Sequence, residues 1–272
     1  MTEQSSKTEG AGDEVVLRRD GAIAEIVLNR PEAANGLTLS LLKSLCAAIM
    51  DCHGDSSIRV VILRGAGKHF CAGGDVKDFA AKGDALPAYL RQATSYLQVA
   101  AGGLMRLNAP VIASVQGFGA GGGGLGLVCA SDFVVAAQSA SFMAAASRAG
   151  MAPDAGLSVT LSRLVGLRKA MDIVLRNPVI SAEEALGIGL ITMVAPDGQL
   201  AARTMELASE LCAGAPLALA ASKRLLWAGL GRGVDAAFPE ESTTVSDLSG
   251  TADAREALAA VIARRPPRFE GR

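Results

Sequence analysis

Two glycine-rich turns constrain this chain of 272 residues more than any other feature. Each turn follows an uncharged run that is typical of a buried strand, residues 60–63 in the first case and 110–115 in the second. The first turn occupies residues 71–75 and the second residues 116–124, and a helical pattern follows each of them. Because strands and helices alternate in this way, the first half of the chain is predicted to form an α/β core.

Such turns have three interpretations that spacing alone leaves open. Glycine has no Cβ, so the backbone can turn sharply and expose N–H groups at the start of a helix, and two turns can aim two donors at one oxygen. The run from Gly117 to Gly122 also matches the GxGxxG pattern of dinucleotide sites. However, it lies late in the chain, and Asp132 comes too early for the ribose-binding acid. The third interpretation is close helix packing.

The remaining pattern predicts the organisation of the chain. Asp20-Gly21 is a hairpin signal between two short strands, Thr38 or Ser40 is expected to cap the first helix, and Asp132 is expected to anchor the connection between a helix and a strand. From about Gly156 onward the pattern is helical throughout. The predicted divisions are a disordered tail over residues 1–13, a core over 14–200 and a helical C-terminal oligomerisation region over 201–272.

Charge and composition exclude several classes of function. Lys and Arg number 26 against 27 Asp and Glu, and aromatic residues make up 4%, so neither a basic surface nor stacking platforms for nucleic acid are expected. The two histidines have no metal-ligand spacing, and no GxSxG nucleophile motif is present. The five scattered cysteines are interpreted as reduced core thiols: Cys46, Cys52, Cys71, Cys129 and Cys212.

No segment resembles a signal peptide or a membrane span. Residues 107–131 carry no charge, but Pro110, Gln116 and the glycine run suit a buried strand, turn and helix better than a bilayer. The chain is therefore expected to be cytoplasmic and to have no membrane partner.

Several stretches in the same order resemble the enoyl-CoA hydratase/isomerase (crotonase) superfamily. They are LNRPEA at 28–33, VILRGAGKHFCAGGDVKDF at 61–79, the stretch 109–132 around the second glycine turn, and LSRLVGLRKAM at 161–171. The resemblance runs from about Val15 to the C-terminus. It implies a spiral of ββα units with a helical C-terminal region that packs against neighbouring subunits, as a homotrimer or a dimer of trimers. It also implies an acyl-CoA thioester as substrate, and no separate cofactor.

The resemblance assigns roles to positions of this sequence. The backbone N–H groups of Gly74 and Gly122 correspond to the family's oxyanion hole, and Arg264 to a basic residue near the coenzyme A phosphates. From the residues alone, Arg264 is interpreted as a solvated surface charge, Cys71 as a residue that packs in the core, and Asp75 as the cap of a helix. The full set of candidate substrate-binding residues is Ala33, Cys71, Ala72, Gly73, Gly74, Asp75, Val76, Gly122 and Arg264.

At three positions the sequence indicates which reaction of the family to expect. A hydratase of the family uses two glutamates, but Leu125 and Ala146 occupy those positions, and neither can move a proton. Asp154 matches the aspartate of dienoyl-CoA isomerases and, particularly in PDAGL at 153–157, of the ring-expanding isomerases of phenylacetate breakdown. Apolar neighbours are expected to raise its pKa. The local alternative is that Asp154 caps a helix that begins near Ala155.

The leading hypothesis is therefore an enoyl-CoA isomerase in which Asp154 is the proton shuttle. The alternatives are a hydratase, or hydratase-like lyase, in which Asp154 replaces the missing glutamates, and a non-catalytic acyl-CoA-binding relative.

Overall fold

The computed structural model describes residues 14–272, so the predicted tail over 1–13 lies outside the described residues. The strands form a six-stranded sheet in the order β1-β2-β3-β4-β6-β9 and a three-stranded sheet in the order β5-β7-β8. Their bounds are β1 Val15–Asp20, β2 Ile23–Leu28, β3 Val60–Gly65, β4 Val111–Val115, β5 Phe118–Ala120, β6 Phe133–Ala137, β7 Ser141–Met143, β8 Ile180–Ser181 and β9 Met193–Ala195.

Helices connect and cover these strands. Their bounds are α1 Leu39–Gly54, α2 Val76–Ala80, α3 Leu86–Arg106, α4 Gly121–Cys129, α5 Leu157–Val165, α6 Leu167–Met171, α7 Ala182–Gly187, α8 Leu200–Cys212, α9 Pro216–Gly229, α10 Val234–Ser249 and α11 Ala252–Ala263. Within residues 14–272, no helix combines the length and the apolar character needed to cross a membrane.

The large sheet is parallel from β2 to β9, and β1 is antiparallel at its edge. Helices lie on both faces: α1 and α3 close the main core on one side, and α8 packs on the other against Val60, Ile62 and Val135. Strands covered on both faces need continuous apolar runs, which is why 60–63 and 111–115 carry no charge. Because parallel strands point the same way, the turns after β3 and β4 emerge at one edge of the sheet.

Several local predictions are confirmed. Gly21 lies in the turn between antiparallel β1 and β2 with a φ of 56°. The hydroxyl of Thr38 accepts the Leu41 N–H and caps α1.

The prediction of helices throughout the region after Gly156 is wrong in two places. β8 pairs with β7, and β9 completes the large sheet beside β6. These strands have only two and three residues, too short for a periodic pattern to be seen in the sequence. Their pairing partners lie in the first half of the chain, so tertiary contacts decide them. The division of the chain at residue 200 stays a prediction.

Lys223 of α9 forms a buried ion pair with Asp132, the residue before β6. Nζ lies 2.6 Å from Oδ2, and the two side chains are 6% and 12% exposed. The Leu104 carbonyl accepts from Nζ, and Asp132 accepts from Trp227 Nε1 and the Val111 N–H at 2.7 Å each. Asp132 thus anchors the strand start, as predicted, and also holds the C-terminal helices on the core. Burial lowers the pKa of Lys223, and Asp132 counteracts this.

Replacing Lys223 by methionine should lower the free energy of unfolding by about 3 kcal/mol, because a buried carboxylate loses its cation. Urea unfolding measures the change. The matched control is Lys169→Met, which removes a lysine paired with Glu184 at the surface and should leave stability unchanged. Equal effects of the two substitutions would contradict the structural role of the buried pair.

Candidate active site

The two glycine turns lie against each other at the edge of the large sheet. A Cβ added to Gly73 would lie 2.6 Å from the Gly121 Cα, and one added to Gly121 would lie 2.5 Å from the Gly73 Cα. Both residues have positive φ values, 93° and 71°. Only glycine allows this conformation together with so close an approach of two backbones. The turns therefore form one site, which the sequence pattern left undecided.

Each turn carries one residue beside this site whose N–H group has no acceptor among the described residues, Gly74 in the first turn and Gly122 in the second. Leu37 pairs with Gly74 in an isolated bridge, in which the Leu37 N–H donates to Gly73 and the Asp75 N–H donates to Leu37. In a parallel bridge this leaves the N–H of Gly74 on the opposite side. Gly122 is the second residue of α4, so its N–H has no acceptor within the helix. Within residues 14–272, neither N–H donates a hydrogen bond. Two free donors beside one cavity can hold an oxygen that gains negative charge.

The glycines of α4 allow other segments to pack directly on its backbone. A Cβ at Gly122 would lie 2.7 Å from Asp154 Oδ1, and one at Gly126 would lie 2.5 Å from the Cβ of Ala155. These two glycines are one helical turn apart, so they form a single groove that receives the segment 154–155. On another face, Gly123 makes room for Leu37 in the same way. The glycines thus serve close packing as well as donor exposure.

Asp154 points back toward α4 and does not cap α5. That helix begins at Leu157, its N-cap is Gly156, and no side chain caps it, so the capping alternative is wrong. The physical reason is local: Ala155 and Gly156 both have left-handed backbones, with φ values of 52° and 77°, and they turn the chain between the carboxylate and the helix. Asp154 bonds to α5 through its backbone carbonyl, which accepts a hydrogen bond from the Leu157 N–H.

The carboxylate of Asp154 is poorly solvated. Its Oδ1 is buried and has no hydrogen-bond partner among the described residues. Burial raises the pKa of Asp154 above its ordinary value of 3.8, and a hydrogen bond from its own backbone N–H partly opposes the shift. A buried carboxylate oxygen with no partner is costly to stability, which is typical of groups that carry chemistry.

A cavity of about 300 Å³ joins these groups. Gly74, Gly122 and Asp154 all lie on its wall, together with apolar side chains of α2 and α3 and the segment 145–152. A cluster of His, Cys, Asp or Glu that could hold a metal ion is absent from the part of the chain that the structure describes. The chemistry available is one carboxylate beside two N–H donors.

The structure places the other candidate residues at different distances from this cavity. Ala72 and Val76 line it, whereas Ala33 lies in a short helical turn, Pro31–Ala33, outside it. Arg264 is the left-handed residue that ends α11, and it is not part of the wall formed by this chain. The assignments of Ala33 and Arg264 to coenzyme A binding stay predictions.

Cys71 holds the first turn against β5 through its backbone, and direct contacts of Cys71 and Gly73 with substrate stay predictions. Cys71 is fully buried, and burial raises the pKa of its thiol to about 12, so it is not a nucleophile at neutral pH. Its backbone pairs with β5 on either side of Gly119, where the Cys71 N–H donates to Phe118 and its carbonyl accepts from Ala120.

Asp75 caps α2, as predicted, and holds the first turn in place. Its Oδ1 accepts the N–H groups of Lys77 and Asp78, both at 3.1 Å. Its Oδ2 accepts from Arg30 Nη1 at 3.0 Å. Both oxygens are therefore engaged in positioning the turn that carries Gly74. A direct contact of Asp75 with substrate stays a prediction.

Leu125 and Ala146, the positions that the resemblance assigns to the two glutamates of a hydratase, differ in their surroundings. Ala146 lies on the cavity wall, 3.7 Å from a Cβ placed on Gly122. Leu125 is fully buried in the core. Neither side chain can exchange a proton.

Asn35 is a structural residue of the site that the sequence analysis missed. It is fully buried with a φ of 55°, and its Nδ2 donates to the carbonyls of Ala66, His69 and Phe70. Its Oδ1 accepts the Arg30 N–H. It therefore ties the segment after β2 to the loop that leads into the first glycine turn. The dipeptide Asn35-Gly36 is a turn signal that could have identified it.

Comparison with known proteins places the chain in a family. The family model described as enoyl-CoA hydratase/isomerase matches residues 18–272. A protein of Rhodobacter capsulatus named probable enoyl-CoA hydratase is 38% identical over 250 residues, 92% of this chain and 95% of that protein. The 2,3-dehydroadipyl-CoA hydratase of Escherichia coli is 33% identical over 260 residues, 95% and 99% of the two chains. The crystal structure of an enoyl-CoA hydratase from Bacillus anthracis superposes with a TM-score of 0.90 at 31% identity, covering 95% of this chain and all of that one.

Proposed function

The chain belongs to the enoyl-CoA hydratase/isomerase family, and we propose that it moves a carbon–carbon double bond within the acyl part of an enoyl-CoA thioester. One observation carries the proposal. Among the described residues that line the cavity, Asp154 is the only titratable side chain, and the N–H groups of Gly74 and Gly122 share that cavity. Coenzyme A enters as part of the substrate.

The proposed step needs one carboxylate and one oxyanion hole. The carboxylate of Asp154 takes a proton from C2 of a 3-enoyl-CoA, and the electron pair moves into the thioester to form an enolate. The N–H groups of Gly74 and Gly122 hold the enolate oxygen, and each such donor typically contributes about 3 kcal/mol to the transition state. The protonated Asp154 then delivers the proton to C4. The double bond ends between C2 and C3, conjugated with the thioester carbonyl.

Burial suits Asp154 to both halves of this cycle. A raised pKa makes the carboxylate a stronger base in the first half and keeps its proton available for the second. Because a single group removes and returns the proton, both transfers occur on the same face of the acyl chain.

Hydration is the second candidate, and the names of the relatives favour it, since the proteins of Rhodobacter capsulatus and Escherichia coli are both named hydratases. Water addition needs one group to activate water and another to protonate the carbon. With Leu125 and Ala146 at the glutamate positions, Asp154 would have to perform both roles. The count of proton-transferring groups therefore supports isomerisation.

Two substrates separate the candidates. With 3-hexenoyl-CoA we expect conjugated 2-hexenoyl-CoA to accumulate, as measured by its ultraviolet absorbance. With 2-hexenoyl-CoA we expect little or no 3-hydroxyhexanoyl-CoA in mass spectrometry. A 3-enoyl substrate deuterated at C2 should carry part of its label to C4, because one carboxylate shuttles the proton. Rapid formation of the 3-hydroxy product without isomerisation would instead assign the chain as a hydratase.

We further propose that copies of the chain associate, as a homotrimer or a dimer of trimers. The helices after the site expose large apolar side chains that isolated chains would leave in water. In the segment from α5 to the start of β8 these are Val159, Leu164, Leu167, Met171, Leu175 and Val179, and in α11 they are Leu258, Val261 and Ile262. The set in α11 supports a contact through the predicted oligomerisation region over 201–272, and the set between α5 and β8 adds a second contact surface within residues 14–200.

A further inference from the structure

The cavity that Gly74, Gly122 and Asp154 share has no positively charged side chain among the described residues that line it. Among the described residues that line it, Asp154 is the only ionisable side chain and Thr94 is the only hydroxyl. The other wall side chains are aliphatic or aromatic, or the residue is glycine. Whatever direction an acyl chain takes inside the cavity, it meets hydrocarbon surface and a single carboxylate.

One face of α3 extends this surface away from the glycine turns. The Cδ2 atom of Leu97 lies 3.1 Å from a Cβ placed on Gly123, so this end of the face touches the second turn. Ala93, Thr94 and Leu90 follow at helical spacing and also line the cavity. From Leu97 to Leu90 the face runs about 10 Å, at 1.5 Å per residue.

The polar groups near this wall are already engaged. The hydroxyl of Thr94 donates to the Leu90 carbonyl at 2.8 Å. The ammonium group of Lys82 lies 2.7 Å from Asp78 and over the ring of Tyr89. None of these groups is left to neutralise a charge inside the cavity.

We propose, on the basis of the proposed function, that the protein selects acyl groups that are hydrocarbon to their far end and rejects acyl groups that end in a carboxylate. The N–H groups of Gly74 and Gly122 are taken by the thioester oxygen, so an ionised carboxylate at the far end of the acyl group would lose its hydration without gaining a cation or a donor. It would also share the cavity with Asp154. The name of the Escherichia coli relative, 2,3-dehydroadipyl-CoA hydratase, specifies a carboxylate-ended acyl group for that protein. The rejection is therefore a property of this cavity and does not follow from family membership.

Binding of two saturated esters tests the proposal independently of turnover. Hexanoyl-CoA and adipoyl-CoA have the same number of acyl carbons and differ in the terminal carboxylate. By isothermal titration calorimetry, adipoyl-CoA should bind at least about 30-fold more weakly. Comparable affinities would overturn the inference. If the preference is found but 3-hexenoyl-CoA is not isomerised, the inference stands and the proposed reaction fails.

A cation placed on the wall should weaken the preference for hexanoyl-CoA. Thr94→Arg adds a guanidinium to the α3 face, and Thr94→Met adds comparable length without charge. We expect the ratio of adipoyl-CoA to hexanoyl-CoA affinity to rise at least about tenfold in Thr94→Arg and to stay unchanged in Thr94→Met. Equal shifts in both variants, or no shift in a folded Thr94→Arg protein, would contradict the charge argument. If Thr94→Arg does not fold, as judged by circular dichroism, Thr94→Lys takes its place, and the wild-type comparison decides the inference on its own.

Discussion

Replacing Asp154 by asparagine is expected to lower the isomerisation rate by about 10³-fold or more, while hexanoyl-CoA still binds. A single positioned acid–base group contributes about 10²–10⁴-fold, and here one group serves as base and then as acid. Asparagine keeps the shape of the side chain beside Gly122 but cannot accept the C2 proton. Steady-state kinetics with 3-hexenoyl-CoA and calorimetry with hexanoyl-CoA give the two readouts. Asp84→Asn, at an exposed position in the turn before α3, is the control and should retain full activity.

The pH dependence of stability provides a readout that needs no substrate. In the folded protein the pKa of Asp154 is raised above 3.8, so the folded state holds this proton more tightly than the unfolded chain does. The free energy of unfolding should therefore fall as pH rises from about that value through the raised pKa, and Asp154→Asn should remove this fall. Activity should rise over the same interval, because the base must be ionised. Full activity in Asp154→Asn would show that Asp154 is not the base, and an unchanged stability profile would show that folding does not raise its pKa.

Replacing Gly126 by alanine is expected to lower activity by about 10²-fold without touching the substrate. The new Cβ would lie 2.5 Å from the Cβ of Ala155, so the segment that carries Asp154 must move away from α4. A displacement of about 1 Å in a catalytic group costs activity of this order. The loss should appear in kcat more than in KM, since the hydrocarbon wall is unchanged.

A second substitution should restore the loss. Ala155→Gly removes the atom that clashes, and glycine also suits the φ of 52° at this position. The double variant should recover most of the activity of the parent, whereas Ala155→Gly alone should have a small effect. Thermal unfolding of all three variants separates misplacement from loss of the fold. If Gly126→Ala is fully active, or if the double variant is no better than Gly126→Ala, then the groove on α4 does not position Asp154.

Much of the site could be read from the chain because its signals are local. Glycine lacks a Cβ wherever it occurs, so the two turns could be recognised as places where the backbone is exposed at a helix start. Asp75 and Thr38 precede helices and cap them, as their side-chain chemistry predicts. The uncharged strands likewise follow from the need to cover both faces of a parallel sheet.

Features that depend on contacts between residues far apart in the chain were left open or missed. Asp154 has good capping chemistry, and nothing nearby in sequence showed that Ala155 and Gly156 turn it toward α4. Asn35 was missed because its partners lie in another loop. β8 and β9 were missed because short strands are stabilised by the sheet they join.

The alternation of strands and helices in the first half of the chain, the two backbone turns and one candidate carboxylate can thus be obtained from residue types and their spacing. The three-dimensional packing adds that Gly73 meets Gly121, that Asp154 lies over Gly122 with an unpartnered oxygen, and that the surrounding wall is uncharged. The physical reason is that burial and electrostatic environment are sums over all neighbours of a group. For a group between two turns far apart in the chain, most of those neighbours are brought there by the fold.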